Sequence, residues 1–218
     1  MINIQHLQKK RRVTDATFQI ETGKIIGIIG ENGSGKTTIL EMIAGVLRSD
    51  KGEINLPADR SEILSFSSDQ DYFYDYFTVT QLVDFYQSQF ADFHREKAEE
   101  LIDFFSIPRQ EKMAYLSKGQ TARVKLAVTL ARNCPLFMLD EPLAGLDPMV
   151  KEKIVQGLIR FIDLEKQSLL ITTHELLEVE AILDEVVVMK QGKVIAQQAV
   201  ENIREETSVQ EWLKQMYA

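Results

Sequence analysis

The sequence predicts an α/β domain: a mostly parallel sheet, an antiparallel β subdomain beside it, and a helical subdomain inserted into the core. Three observations lead there. A short apolar, β-branched run at residues 25–29 has the pattern of a strand buried on both faces, the apolar run 136–139 reads as a buried strand and 168–172 as a strand. Segments of helical spacing separate them, and strands alternating with helices imply a parallel, layered architecture. A long stretch of helical spacing, 79–131, interrupts the alternation and marks an inserted helical subdomain, about 71–131.

Taken in order, residues 1–7 and 13–20 alternate and read as two exposed antiparallel strands. Gly23-Lys24 turns the chain into the buried strand 25–29, and residues 37–47 have helical spacing at Ile39, Leu40, Ile43 and Leu47. Residues 52–56 and 62–66 return to strand. Three helical stripes follow: Leu82, Phe85, Tyr86 and Phe90; then Leu101, Phe104 and Phe105; then Val124, Leu126, Val128 and Leu130. Strand 136–139, helix 150–164, strand 168–172 and helix 175–183 come next. Residues 185–189 and 194–196 read as a hairpin around Gln191-Gly192, and 200–218 as a polar helix with Trp212, Leu213 and Met216 on one face.

The chain of 218 residues fits a single domain and can bury a sizeable core. The lone cysteine, Cys134, forms no internal disulfide and reads as inert core in a reducing compartment. Thirty-three acidic against 25 basic residues give a net charge of −8, which argues against a nucleic-acid partner. The basic run Lys9, Lys10, Arg11 and Arg12 reads as a solvated turn. No apolar stretch approaches the roughly 20 residues that span a bilayer, and the N-terminus lacks the shape of a signal peptide. Work at a membrane would need spans from another chain.

Chemistry concentrates at two strand ends. Gly30-Glu31-Asn32-Gly33-Ser34-Gly35-Lys36-Thr37 matches the phosphate-loop pattern G-x-x-x-x-G-K-[ST] between a predicted strand and a predicted helix, so the core is expected to be that of a P-loop NTPase. Its glycines let successive amides turn inward towards phosphate oxygens, and the helix that follows presents its positive end. Asn32, Gly33, Ser34, Gly35, Lys36, Thr37 and Thr38 are the candidate nucleotide contacts, Lys36 reaching the β and γ phosphates and Thr37 coordinating Mg²⁺. The apolar strand Leu136-Phe137-Met138-Leu139 ends in Asp140-Glu141. Asp140 is placed to hold Mg²⁺, and Glu141 to orient or deprotonate an attacking water.

Leu116-Ser117-Lys118-Gly119-Gln120 resembles the Leu-Ser-Gly-Gly-Gln signature of the ATP-binding cassette (ABC) ATPases. Leu143-Ala144-Gly145-Leu146-Asp147 is similar to that family's D-loop, and Thr172-Thr173-His174 to its switch-histidine loop. Four motifs in family order across 30–174 extend the resemblance over nearly the whole chain, which is then one nucleotide-binding domain, 1–218. The resemblance implies ATP bound with Mg²⁺ and hydrolysed at the face between two nucleotide-binding subunits, in a homo- or heterodimer. Ser117, Gly119 and Gln120 of one subunit would meet the γ-phosphate held by the other, His174 would hydrogen-bond that phosphate, and Asp147 would couple the sites. It implies further a transmembrane permease partner and a place at the cytoplasmic face of the membrane. A non-transport ABC ATPase of translation or DNA repair is the alternative, although the long coiled-coil insertions and zinc modules of those proteins are missing here; a phosphate-loop kinase would leave the later motifs unexplained.

The sequence departs from the family pattern at three places. Lys118 stands where a signature glycine is usual. The glutamine loop, normally a Mg²⁺ contact, offers Gln70, with Ser68 the alternative. The usual adenine-stacking aromatic is missing, leaving Arg11, Arg12 or Val13 for the base. Tyr72-Phe73-Tyr74-Asp75-Tyr76-Phe77 packs five rings into six residues and is expected to receive a short helix of the membrane partner.

Overall fold

The computed structural model describes residues 1–70 and 73–217. Nine strands form one sheet: β1 (Ile2–Lys9), β2 (Val13–Ile20), β3 (Ile25–Gly30), β4 (Lys51–Ile54), β5 (Leu64–Ser67), β6 (Leu136–Asp140), β7 (Ser168–Thr173), β8 (Glu185–Lys190) and β9 (Lys193–Ala199), in the order β4-β1-β2-β9-β8-β3-β7-β6-β5. The five strands from β8 to β5 run parallel, whereas β4-β1-β2 and β8-β9 pair antiparallel. This is the predicted mostly parallel α/β sheet with an antiparallel part beside it.

Alternation within the parallel strands explains why both faces are covered. Ile26 and Ile28 of β3 point to one face, with Leu136 and Met138 of β6. Helix α1 (Lys36–Ala44) fills that side with Ile39, Leu40 and Ile43, and the antiparallel strands close over it. Ile25, Ile29, Phe137 and Leu139 point to the other face. There they meet α2 (Val79–Gln89), α3 (Arg95–Phe104), α4 (Lys118–Leu130) and α5 (Pro148–Phe161), and the later helices α6 (Val200–Glu206) and α7 (Val209–Tyr217) join the same core. Helices α2, α3 and α4 lie in sequence between β5 and β6, which are parallel neighbours. Parallel neighbours need a crossover, and these helices provide it.

Four expectations need correction. Strands β1 and β2 are not simply exposed: Ile4, Leu7, Val13, Ala16, Phe18 and Ile20 are buried, because the curled sheet packs one face of these strands on α1. The helix expected over 37–47 ends at Ala44, where Gly45 adopts a left-handed cap with φ of 79°. Residues 175–183 form two short 3₁₀ turns, Leu176–Glu178 and Glu180–Ile182, instead of a helix. The C-terminal helix is two helices, divided at Thr207 and Ser208; Ser208 Oγ accepts from Glu211 N at 3.2 Å and restarts the chain as α7. Among the described residues no helix is long and apolar enough to cross a membrane.

Candidate active site

Strands β3, β6 and β7 end side by side, with Ile29 paired to Thr173 and Asp140 to Thr172. Their carboxyl ends are where an open α/β sheet presents ligands. The chain leaves β3 at Gly30 through a tight turn in which Gly33 has φ of 81° and Gly35 φ of 106°. Only glycine enters the second of these without strain. Gly30 must also lack a side chain, since a Cβ there would meet Met189 O at 2.7 Å. The loop is braced from beneath: Gly192 N donates to Ser34 O at 3.1 Å.

α1 starts from this turn with no side-chain cap, unlike α2, α4 and α5, which are capped by Thr78, Ser117 and Asp147. Its first amides therefore remain as donors for an anion. Ser34 Oγ, Lys36 and Thr38 are buried along this turn, whereas Asn32, Gly33 and Thr37 are exposed. Ser34 Oγ has no hydrogen-bond partner.

Lys36 Nζ donates to Gly30 O at 2.7 Å and to Glu31 O at 3.3 Å, and lies 3.2 Å from Glu141 Oε1. The other carboxylate oxygen of Glu141 lies 2.8 Å from His174 Nδ1. The three expected catalytic side chains are thus joined through one carboxylate. Glu141 has φ of 46°, a left-handed conformation that is costly for a residue with a Cβ and typical of functional positions. Its amide is fixed by Thr172 Oγ1, which accepts from it at 2.9 Å and donates to Asp140 Oδ1 at 2.6 Å. The sequence named Thr172 only within the segment leading to His174 and gave it no role of its own; its one further signal was a hydroxyl at the end of an otherwise apolar strand.

Asp140 is 2% exposed. Burial raises its carboxyl above the usual range, against the hydroxyls of Thr172 and Thr37, which favour the anion. Its Oδ2 is buried without a partner. An orphaned carboxylate oxygen beside a threonine hydroxyl is a hard-oxygen donor set, and it fits Mg²⁺. The third expected metal residue, Gln70, lines a neighbouring cavity with Glu41, Val46, Phe73 and Tyr86, which Ser68 also borders. Strand β5 ends at Ser67, so the first residues beyond it, Ser68 and Asp69, are the ones that border the cavity of about 70 Å³ containing Asp140 and Glu141. Asp69 was not anticipated.

The signature residues form the start of α4. Ser117 and Gln120 make a reciprocal cap, with Ser117 Oγ accepting from Gln120 N at 3.3 Å and Gln120 Oε1 accepting from Ser117 N at 2.8 Å. Gly119 lies against Val150. Asp147 caps α5 by accepting from Val150 N at 3.1 Å. Among the described residues no hydrogen bond or ion pair joins 117–120 to the loop 30–38 within the chain. Lys118 is exposed and places Nζ over Gly145, 2.5 Å from where a Cβ would be.

Arg11 and Arg12 are exposed at the β1–β2 turn, and Val13 packs beside Gly35. In the aromatic segment Tyr72 lies outside the described residues. Tyr74 and Tyr76 are 52% and 65% exposed and make ring contacts with each other and with Phe77.

The family model described as ABC transporter matches residues 13–144. The ABC transporter ATP-binding protein YtrB of Bacillus subtilis (strain 168) is 29% identical over 217 residues, covering 94% of this chain and 74% of that protein. In fold, the ATP-binding subunit of an ABC transporter superposes with a TM-score of 0.85 at 21% identity, covering all of both chains. The dimeric cassette MJ0796, solved in a post-hydrolysis state bound to ADP and Pi, superposes with a TM-score of 0.80 at 21% identity, covering 92% of this chain and 99% of that one.

Proposed function

The chain belongs to the ABC transporter family and is an ATPase, and on that premise we propose that it powers transport through a separate transmembrane permease subunit at the cytoplasmic face of a membrane. Residues 1–218 act as one nucleotide-binding domain in which residues 71–131 are the helical subdomain. The observation that carries the site assignment is the line Lys36–Glu141–His174 at the ends of three adjacent strands.

In this reading the amides of residues 33–38 cradle the triphosphate and the Lys36 ammonium neutralises its outer phosphates. An incoming phosphate competes with Gly30 O, Glu31 O and Glu141 Oε1 for the three donors of Lys36. Released from Lys36, Glu141 orients the attacking water and accepts its proton, while His174 holds the γ-phosphate by a hydrogen bond. Thr37 and Asp140 would hold Mg²⁺, with Ser68 better placed than Gln70 to complete the set. Bound there, Mg²⁺ would offset the charge on the phosphates. Ser117, Gly119 and Gln120 of a second subunit close the site, their helix start facing the γ-phosphate, and Asp147 lines the shared face. The exposed Tyr74 and Tyr76 beside Phe85 form a ring-rich surface for a permease helix.

Glu141→Gln tests the assignment. The variant should bind ATP with near-normal affinity, lose turnover by at least about 100-fold, and accumulate as an ATP-bound dimer in size-exclusion chromatography. Unchanged hydrolysis would contradict the role given to Glu141.

A further inference from the structure

Helix α7 is remote in sequence from the phosphate loop, yet Tyr217 reaches the base of it. The Tyr217 hydroxyl donates to Met189 O at 3.1 Å and lies 3.4 Å from Ile29 O. These carbonyls stand where β3 and β8 finish their ladder, at the pair Gly30–Met189. Met189 in turn touches the loop twice. Its carbonyl is what a Cβ on Gly30 would strike, and its Cε lies 3.2 Å from the Cβ position of Gly35. The hydroxyl therefore sits one residue behind the first glycine of the loop, on a residue whose side chain packs against the last.

Two further contacts seat the ring. Lys190 Nζ donates to Tyr217 O at 2.8 Å and lies 5.9 Å from the ring centroid. Val209 and Leu213 anchor the same helix in the core, while Gln210, Leu213 and Lys214 border a cavity shared with His174 and Glu175. One short helix thus spans from the entry of the phosphate loop to the histidine loop. Burial, and then the nearby charge of Glu31, push the phenol up to about 12, so it remains a donor throughout the physiological range.

We propose that Tyr217 is a positioning residue for the phosphate loop: its hydroxyl fixes the ends of β3 and β8, and so sets the height at which the loop presents its amides to the triphosphate. The proposal rests on the reading of residues 30–37 as the ATP loop. It adds α7, which no motif marks, to the nucleotide site.

Tyr217→Phe in the full chain keeps the ring and deletes only the hydroxyl. The KM for ATP and the equilibrium Kd should rise roughly 2- to 10-fold, the range carried by one net hydrogen bond. The kcat should stay within about 2-fold, and the KM change should be the same from pH 6 to pH 9 because the phenol does not titrate there. A loss of thermal stability with unchanged KM and Kd would make the contact merely structural and overturn the proposal. Lys36→Ala, measured in parallel, separates the two claims. If it abolishes ATP binding while Tyr217→Phe binds normally, the loop reading stands and this inference fails. If Lys36→Ala binds ATP normally, the loop reading fails and takes the inference with it.

Discussion

Replacing Asp140 by Asn should make the nucleotide-free protein more stable while removing its response to Mg-ATP. Asp140 is 2% exposed, and only Oδ1 is hydrogen-bonded, to Thr172 at 2.6 Å. Oδ2 is buried alone. A buried unsatisfied polar atom costs about 1–3 kcal/mol, and more when its group is charged. Asn preserves the shape and the acceptor at Oδ1 but carries no charge, so about 1–2 kcal/mol should return, or about 2–8 °C in Tm for a domain of this size. The pH dependence has a definite sign. A carboxyl whose folded pKa is raised adds stability that is complete below its unfolded value, 3.8, and is lost as pH rises through the folded value. That contribution falls as pH rises through the folded value, so the advantage of Asn grows with rising pH and is smallest towards pH 4. Thermal melts in EDTA from pH 7.5 to 4, repeated at pH 7.5 with Mg-ATP, test both parts, because a ligand that binds only the folded state raises Tm. A Tm several degrees lower for Asn at pH 7.5 in EDTA would show that the carboxylate stabilises the fold. A full Mg-dependent shift in the variant would remove Asp140 from the metal site.

Thr172→Val should leave Glu141 N and Asp140 Oδ1 without their shared partner. We expect a loss of about 2 kcal/mol in urea melts and at least a tenfold fall in kcat, with ATP affinity changed only a few-fold; a kcat at wild-type level would mean that Glu141 is held by something else. Gly157→Ala in α5 sets a helix-propensity gain of about 1 kcal/mol against overpacking of about 1–3 kcal/mol, because its Cβ would lie 2.5 Å from Phe105 Cζ. Urea denaturation should show net destabilisation, and a gain would mean that the Phe105 ring gives way.

Much of this architecture was legible because it rests on local signals. The all-apolar run of β3, the glycines after it and Lys36-Thr37 announce a strand, a loop and a helix start within residues 25–37. Gln191-Gly192 was readable as a hairpin turn, and both residues do take positive φ, 49° and 78°. What the sequence hid depends on partners far along the chain. Residues 175–183 have helical composition, but Lys151 of α5 forms ion pairs with Glu175 and Glu178, and only tight turns remain. The broken tail, by contrast, carried an overlooked signal, since Ser208 and Glu211 have the spacing of a capping box. Thr172 was hidden for another reason: a threonine in a strand is ordinary, and its value comes from the adjacent strand that delivers Asp140 beside it.

That delivery also explains how two neighbouring carboxylates acquire different work. Successive side chains of a strand point to opposite faces, so a continued strand would separate Asp140 from Glu141. The left-handed turn at Glu141 breaks the alternation directly after Asp140, and both residues border the same cavity. Their surroundings then diverge. Asp140 is buried with one oxygen satisfied, and burial favours its protonated form unless a cation arrives. Glu141 is 14% exposed and divides its two oxygens between Lys36 and His174. A carboxylate shared by two such partners is released when a phosphate claims Lys36, whereas one that lacks a partner awaits a metal. In the proposed mechanism the strain at Glu141 has a function that a relaxed turn could not supply: it would bring a base and a metal ligand, adjacent in sequence, to one phosphate from different environments.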